Sequence, residues 1–392
     1  MATIRKYQPT RFVKDENGHR VPHPSKPGKF LTEKTGATVW RARYDDREGK
    51  QHTRHFTRKV DAQAWLDEAA GAMATGSWTD PSKSRSTLKP HTDAWLAAHP
   101  DWTPSTRARN VGIVKKHILP RWGNVRLDKI TTDSIQQWSA SINLAPGSVR
   151  KIVGVLTSIL DRAVLTKNLA INPADGVIRP KQPLRRRRYL TTVEVERLAN
   201  CSGRNRDLIL LLAYTGLRWG EMAALHVSAV NTTRRRLMIE ISVTEINGIM
   251  EWSDQPKDHQ RRSVPYPAFL DGAIEERIKG RAPDELVFTS PTGGVLRYGN
   301  ARRDWFDPAV NEAGLGNLTP HELRHTAASL AVKAGASVLA LQRMLGHDKP
   351  STTLDVYADL FDEDLDDVAA KLATQRSEIL LDFSWTSPAR EE

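Results

Sequence analysis

Cysteine is almost absent from this chain: Cys201 stands alone among 392 residues. A single thiol forms no intrachain disulfide, so packed cores must supply the stability, and a reducing cytosol is the expected compartment. Nothing around Cys201 resembles the setting of a thiol nucleophile. Long hydrophobic runs are missing too, for no apolar stretch approaches the roughly 20 residues that a bilayer span needs. The opening residues MATIRKYQPTRF lack the apolar core of a secretory signal. There is no Gly-rich phosphate loop and no convincing cluster of metal ligands, which leaves nucleotide-driven or metal-driven chemistry without a signature. Internal repeats and long low-complexity tracts are also absent. Lysine itself becomes scarce from 182 to 278, where Lys257 is the single one among many arginines.

What the chain does have is length, tryptophan and positive charge. At 392 residues it exceeds one ordinary domain, and 39 % hydrophobic residues with 11 Trp allow real cores. The net charge of +12 is unevenly spread: +5 over residues 1–80, +9 over 81–180, +6 over 181–354 and −8 over 355–392. A long basic body with an acidic tail fits a polyanionic partner, although charge serving solubility alone would look similar.

Patterning divides the chain further. Thr38–Tyr44 alternates apolar and polar residues, Asp45–Lys50 supplies a turn, and Gln51–Thr57 can pair back. Thr3–Tyr7 reads as a first strand before a Pro/Gly-containing insertion. Ala62, Trp65, Leu66, Ala69 and Met73 then recur at helical spacing. Arg41, Arg43, Arg54 and Arg58 decorate this unit, as a sheet laid against DNA requires. Gly76–Ser86 is a linker by composition. Residues 87–180 read as wholly helical: a helix from Thr87 through Ala98, one starting at Ser105, one over Thr132–Ser141 and one over Ser148–Leu165. Arg107, Arg109, Lys115, Lys116, Arg150 and Lys151 on these helices form a candidate phosphate-gripping surface, though solvated faces would carry the same residues. A second linker, PKQPLRRRR, holds Arg185, Arg186, Arg187 and Arg188 as a strap suited to a DNA backbone.

From Leu190 onward the letters carry chemistry. TGLRWGE puts Arg218 at the start of a helix, where free N–H groups already favour an anion, or where a salt bridge to Glu221 would hold it. Lys257 follows between two expected strands, and lysine, unlike arginine, can release a proton. In LTPHELRHT, Thr319 is the expected N-cap, Pro320 suits the first helical turn, and Glu322 completes a capping box, placing His321 and Arg324 near the helix start. HELRH also matches the H-E-x-x-H pattern of zinc hydrolases, but such an enzyme needs a third ligand and has no use for a basic N-terminal half. Val338–Leu345 is a helix closed by Gly346 and followed by His347. Ser351 is the expected cap of the next helix, which carries Tyr357 ten residues after His347. By itself Tyr357 would be a core or interface aromatic.

Taken in order, TGLRWGE, a hairpin lysine, HELRH, LGH and a tyrosine ten residues on resemble the tyrosine recombinase (phage integrase) family over residues 190–360. The resemblance implies a multidomain α+β chain. Residues 1–75 would be an arm-type DNA-binding domain with a three-stranded sheet plus helix, and 87–180 an all-helical core-binding domain. Residues 190–375 would be a mainly helical catalytic domain with a small antiparallel sheet, followed by a tail over 376–392. Linkers at 76–86 and 181–189 separate these parts.

It further implies Tyr357 as the nucleophile that forms a 3′-phosphotyrosyl bond and Arg218 and Arg324 as a clamp on the phosphate. His347 would donate a hydrogen bond there, His321 would assist proton removal from Tyr357, and Lys257 would be the acid for the departing 5′ oxygen. Implied partners are double-stranded DNA attachment sites, a homotetramer on synapsed DNA, an excisionase-type directionality factor and a host DNA-bending protein. No cofactor, metal or membrane is implied, and the location would be the cytoplasm, at a bacterial nucleoid. The acidic segment after Tyr357, with Leu360, Phe361, Leu365, Val368 and Leu372 on one side, would dock on a neighbouring copy or on its own core. The chain departs from the family with Glu322, where Asp is frequent, and with Asp258, where Thr or Ser often follows the lysine. A non-catalytic DNA-binding regulator and a type IB topoisomerase are the competing readings, the first needing only the basic domains, the second disfavoured by the N-terminal sheet.

Overall fold

The computed structural model describes residues 2–36, 38–75, 78–80, 82–183, 187–254, 261–360, 370 and 372–380. The chain divides into two compact units, residues 1–102 with 109–182, and residues 183–392 with 103–108. Helix predominates, and every named strand pairing is antiparallel.

In the first unit β1 (Thr3–Tyr7), β4 (Val39–Asp45) and β5 (Gln51–Phe56) form a sheet with β4 in the centre. Between β1 and β4 the insertion folds into its own ribbon, β2 (Thr10–Phe12) against β3 (Thr32–Lys34). Alternation decides the faces, because successive strand residues point to opposite sides. Ala42 and Tyr44 turn inward onto Ala62, Leu66 and Ala69 of helix α1 (Lys59–Thr75). Arg41 and Arg43 lie on the other face, opposite Arg5 and Thr3 of β1 and His55 and Thr53 of β5. Arg54 pairs with Ala42 and therefore lies on the opposite face from Arg41 and Arg43. Within the segment read as a linker, Trp78 and Asp80 bond to this sheet. Trp78 Nε1 donates to Tyr44 Oη at 3.0 Å, and buried Asp80 accepts from Lys50 Nζ at 2.5 Å.

The helical part has a separate core. It comprises α2 (Leu88–Ala97), α3 (Pro104–Ile113), a wide turn over Val114–Ile118, α4 (Leu119–Trp122), α5 (Thr132–Ser141) and α6 (Pro146–Leu165). Helix α6 buries Val149, Ile152, Val153, Leu156, Ile159, Leu160 and Ala163, a stripe at three- and four-residue spacing. Arg109, Lys115, Lys116, Arg150 and Lys151 are exposed, while Arg107 is half-buried.

The second unit holds α7 (Thr192–Cys201), α8 (Arg206–Thr215), α9 (Trp219–Ala223), α10 (Asp271–Ile278), α11 (Tyr298–Ala301), α12 (Asp307–Glu312), α13 (Pro320–Lys333), α14 (Val338–Leu345) and α15 (Pro350–Tyr357). Its strands are β6 (Val230–Asn231), β7 (Arg236–Ile239) and β10 (Arg262–Pro265) in one sheet, with β8 (Ser242–Ile246) and β9 (Ile249–Ser253) in a hairpin. Helix α8 buries Leu208 through Ala213 without a break and packs on α7 and α13. It is the central helix of this unit. Ser351 does not cap α15 as its letters suggest: Pro350 already occupies the first turn and Lys349 is the cap residue, since proline's fixed φ starts the helix two residues earlier. Lys257 with Asp258, Arg185 and Arg186 lie outside the described residues, as do Phe361, Leu365 and Val368. Among the described residues no helix is long and apolar enough to cross a membrane.

Candidate active site

Two helix ends converge on one arginine. Helix α8 stops at Gly216 (φ +66) and α14 at Gly346 (φ +68), both in the left-handed conformation that glycine adopts without strain. Space also requires glycine at both, because an added Cβ would lie 2.7 Å from Leu345 at Gly216 and 2.8 Å from Arg262 at Gly346. Arg324, from the second turn of α13, reaches into this corner and is 3 % exposed. Its Nη1 donates to Gly216 O and its Nη2 to Leu345 O, each at 2.6 Å. Burial and the charges of Arg218 and Arg262 lower its pKa to about 10, which leaves it a cation at neutral pH. Two of the five N–H donors on its guanidinium are thereby used to orient it.

Arg218 sits beside it, at the N-cap of α9. Its Nη1 donates to Glu221 Oε1 at 2.9 Å, and its backbone N–H donates to Glu221 Oε2 at 2.8 Å. Glu221 is buried and also takes both prongs of Arg262, at 2.9 and 2.6 Å. Arg262 Nε donates in turn to Met344 O at 3.1 Å. The salt bridge that the letters allowed therefore exists, and it is one arm of an Arg218–Glu221–Arg262 network holding the guanidinium in place.

Burial pushes the Glu221 carboxyl up, but the Arg262 hydrogen bonds and the charges of Arg262, Arg218 and Arg324 bring it down to about 2. A carboxylate depressed in the folded state stabilises the fold above its unfolded pKa and loses that contribution as pH falls. Stability should accordingly decline as pH drops from the usual 4.5 toward about 2. Glu221→Gln strands two arginines and should cost about 3–5 kcal/mol at neutral pH, as breaking a buried ion pair does. Denaturant unfolding of both proteins across pH 2–7 tests this: a Gln variant as stable as wild type, with the same acid limb, would assign the limb elsewhere.

On the other side of Arg324 stands Tyr357, the last residue of α15 and 1 % exposed. Burial raises its pKa, opposed by the charges of Arg324, Arg187 and Arg218. His325 Nδ1 lies 2.9 Å from the Tyr357 hydroxyl. His325 and His321, four apart on α13, share a face, and their rings meet edge to face at 5.1 Å. Burial, then the positive surroundings of His321, Arg187, Arg324 and His347, lower His325 to about 4. The ring of His347 runs nearly parallel to that of Tyr357 with centroids 6.4 Å apart, and its Nδ1 lies 2.9 Å from Thr353 Oγ1.

Arg218, Arg324, His347 and Tyr357 are thus assembled in one corner, with His321 at its exposed rim. The corner thus holds a buried phenol amid cationic groups, with an imidazole on its hydroxyl.

Residues 188–364 match the model of the phage integrase family, and residues 87–142 match that of its N-terminal SAM-like domain. The chain belongs to the phage integrase family. It is a tyrosine-type site-specific recombinase. Similar proteins include the integrase of Mycobacterium phage L5, 24 % identical over 81 % of this chain and 90 % of that one. The XerC tyrosine recombinase of Haemophilus influenzae is 28 % identical over 51 % of this chain and 66 % of its own length. Among solved structures the fold is shared with the Tn1549 transposon integrase in complex with a circular intermediate DNA (TM-score 0.61, 19 % identity, 69 % of this chain and 94 % of that one). It is shared too with a lambda integrase tetramer bound to a Holliday junction (TM-score 0.57, 19 % identity, 84 % and 97 %).

Three residues of this corner have no motif of their own to mark them. His325 is hidden inside the H-E-x-x-H pattern, whose second histidine it is. The zinc reading of that pattern gains no third ligand, for among the described residues no group of three His, Cys, Asp or Glu could hold a metal. Arg262 has no signal beyond an arginine pair opening a strand. Arg187 is one of four in a run, and only folding brings its charge to Tyr357 and His325. Its neighbour Arg188 turns away from this corner, donating to Leu315 O and pairing with Glu194 at 3.4 Å. Lys257, the expected leaving-group acid, is outside the described residues.

Proposed function

We propose that this recombinase breaks and rejoins double-stranded DNA at attachment sites through a 3′-phosphotyrosyl bond to Tyr357, integrating a phage or another mobile element and excising it. The observation that carries this is the corner itself, where Tyr357 is buried within reach of the charges of Arg324, Arg187 and Arg218. A phosphodiester under attack gains negative charge on its non-bridging oxygens. The planar forks of Arg218 and Arg324 suit those oxygens, and His347 adds a donor. Oη of Tyr357 bonds to phosphorus, the bond to the 5′ oxygen breaks, and Lys257 supplies that oxygen with a proton. The covalent link keeps the energy of the ester, so rejoining needs no ATP.

On our reading the rest of the chain holds DNA. Arg41 and Arg43, joined on their face by Arg5, would meet arm-type sites. Exposed Lys115, Lys116, Arg150 and Lys151, with Arg107, Arg109 and the run from Arg185 to Arg188, would follow the backbone of core sites. Residues 372–380 are helical and leave Leu372, Ile379 and Leu380 largely exposed, which suits docking on a neighbour in a tetramer that cuts four strands in two steps. An excisionase-type factor and a host DNA-bending protein complete the proposed assembly, at the bacterial nucleoid.

A nicked suicide duplex carrying the element's core site should trap a covalent protein–DNA adduct in the presence of a chelator. Adduct formation that stops on metal removal would overturn this mechanism. For the arm face, Arg5→Ala and Arg41→Ala should each flatten the log–log salt dependence of arm-site binding by about 0.9 for every phosphate left without its cation. Arg54→Ala, on the other face, should leave the slope unchanged; equal slopes for all three would remove the face from the interface.

A further inference from the structure

We propose that His325, rather than the motif histidine His321, accepts the proton of Tyr357 during strand cleavage, and that an incoming phosphate switches this transfer on. The proposal rests on Tyr357 being the nucleophile. Its basis is contact: His325 Nδ1 is 2.9 Å from Tyr357 Oη, within the range of proton transfer. Tyr357 is 1 % exposed, so bulk water is a poor acceptor for its proton. Helix geometry makes the pairing specific. Arg324 turns into the corner between α8 and α14, and the next residue of α13 turns toward the end of α15. His321, one helical turn earlier, packs edge-on against His325 and is exposed at the rim. That location suits a positioning residue and an exit for the proton to solvent.

Charge explains the switch. The groups facing His325 are His321 on its own helix, Arg324 beside it, Arg187 from the segment before α7, His347 from the segment after α14, and Tyr357. Burial and the positive charges of Arg187 and Arg324 keep the imidazole neutral, so without DNA it is a free base that cannot hold the proton. A phosphodiester entering between Arg218 and Arg324 brings a negative charge that offsets them, and the imidazolium becomes tenable. The step then balances. The Oη–H bond breaks and its proton goes to Nδ1, while Oη bonds to phosphorus. The bond to the 5′ oxygen breaks, and that oxygen keeps the electron pair and takes a proton from the leaving-group acid. In rejoining, the imidazolium returns its proton to Oη. Tyrosine is thereby activated only where a phosphate is already clamped.

The test is single-turnover cleavage of a nicked suicide duplex by full-length protein across a pH series. His325→Gln keeps an acceptor for the hydroxyl but cannot take up a proton. It should bind DNA as wild type does yet cleave at least about 10²-fold more slowly. Its rate should climb about tenfold per pH unit, as tyrosinate formed in solution replaces the lost base. His325→Ala should be equally slow and recover with added imidazole, which keeps the question answerable if the Gln variant misfolds. A Gln variant cleaving within about threefold of wild type, or a slow one that keeps the wild-type pH profile, would reduce His325 to a positioning residue and overturn the proposal. Tyr357→Phe run alongside separates the two levels: an adduct trapped there removes the nucleophile assignment, whereas its absence beside an active His325→Gln removes only this one.

Discussion

Tyr357→Phe should abolish covalent adduct formation while leaving DNA affinity and folding close to wild type. The substitution removes one oxygen from a ring that is packed among Ala328, Val332, Leu341 and Leu345. That packing involves the ring and survives. The hydrogen bond removed is the one to His325, whose other surroundings are unchanged. One net hydrogen bond contributes about 0.5–1.5 kcal/mol, so a modest drop in melting temperature is the full structural effect expected. The chemical effect should be total, because the oxygen proposed to attack phosphorus is gone. Gel mobility under denaturing conditions with a labelled suicide duplex measures the adduct directly. A shifted band from the Phe variant would mean that another residue attacks.

Arg324→Lys is expected to be the next most damaging change, and it should differ in kind from Arg218→Lys. Arg324 uses one nitrogen for Gly216 O and another for Leu345 O, tying the ends of α8 and α14 together. A lysine ammonium is a point charge on a flexible stem and cannot satisfy both carbonyls while facing a phosphate. Each buried polar group left unpaired costs about 1–3 kcal/mol, and losing one donor to a transition-state oxygen costs about 10²–10³ in rate. Arg324→Lys should therefore lower both stability and cleavage. Arg218 is linked to Glu221, which Arg262 continues to hold with two bonds. Arg218→Lys should then lose rate by a similar factor with a smaller shift in unfolding midpoint. Paired unfolding and single-turnover measurements decide the matter: near-normal turnover in Arg324→Lys would place the phosphate clamp elsewhere.

Much of this site is readable before folding because its parts are local. The capping box of Thr319 and Glu322, the left-handed glycines after α8 and α14, and the helix over Val338–Leu345 depend on residues within one or two turns of each other. Sequence spacing alone therefore puts Arg324 in the second turn of its helix and Tyr357 ten residues after His347. The buried run of α8 and the stripe of α6 are equally legible, since burial follows from hydrophobic periodicity. The cap of α15 falls two residues before the serine that the letters favour, because serine and proline compete for helix starts and the proline comes first.

Contacts between elements far apart in the chain are not legible, because no local rule specifies them. Arg262 and Glu221 are 41 residues apart, and Arg324 is 108 from Gly216. His325 and Tyr357 are separated by 32. In the letters His321 and His325 are two equivalent histidines on one helical face. Packing of α15 against α13 breaks that equivalence, giving His325 the tyrosine and leaving His321 at the rim. The same holds for the N-terminal arginines: composition makes Arg41, Arg43 and Arg54 alike, while strand register sets Arg54 on the face of Ala42. Residue types and their spacing were enough to name the chemistry, since a phosphate demands arginines and a nucleophile. The choice of histidine and of sheet face came from packing and strand register, because the energy that discriminates between like residues lies in burial and long-range contact.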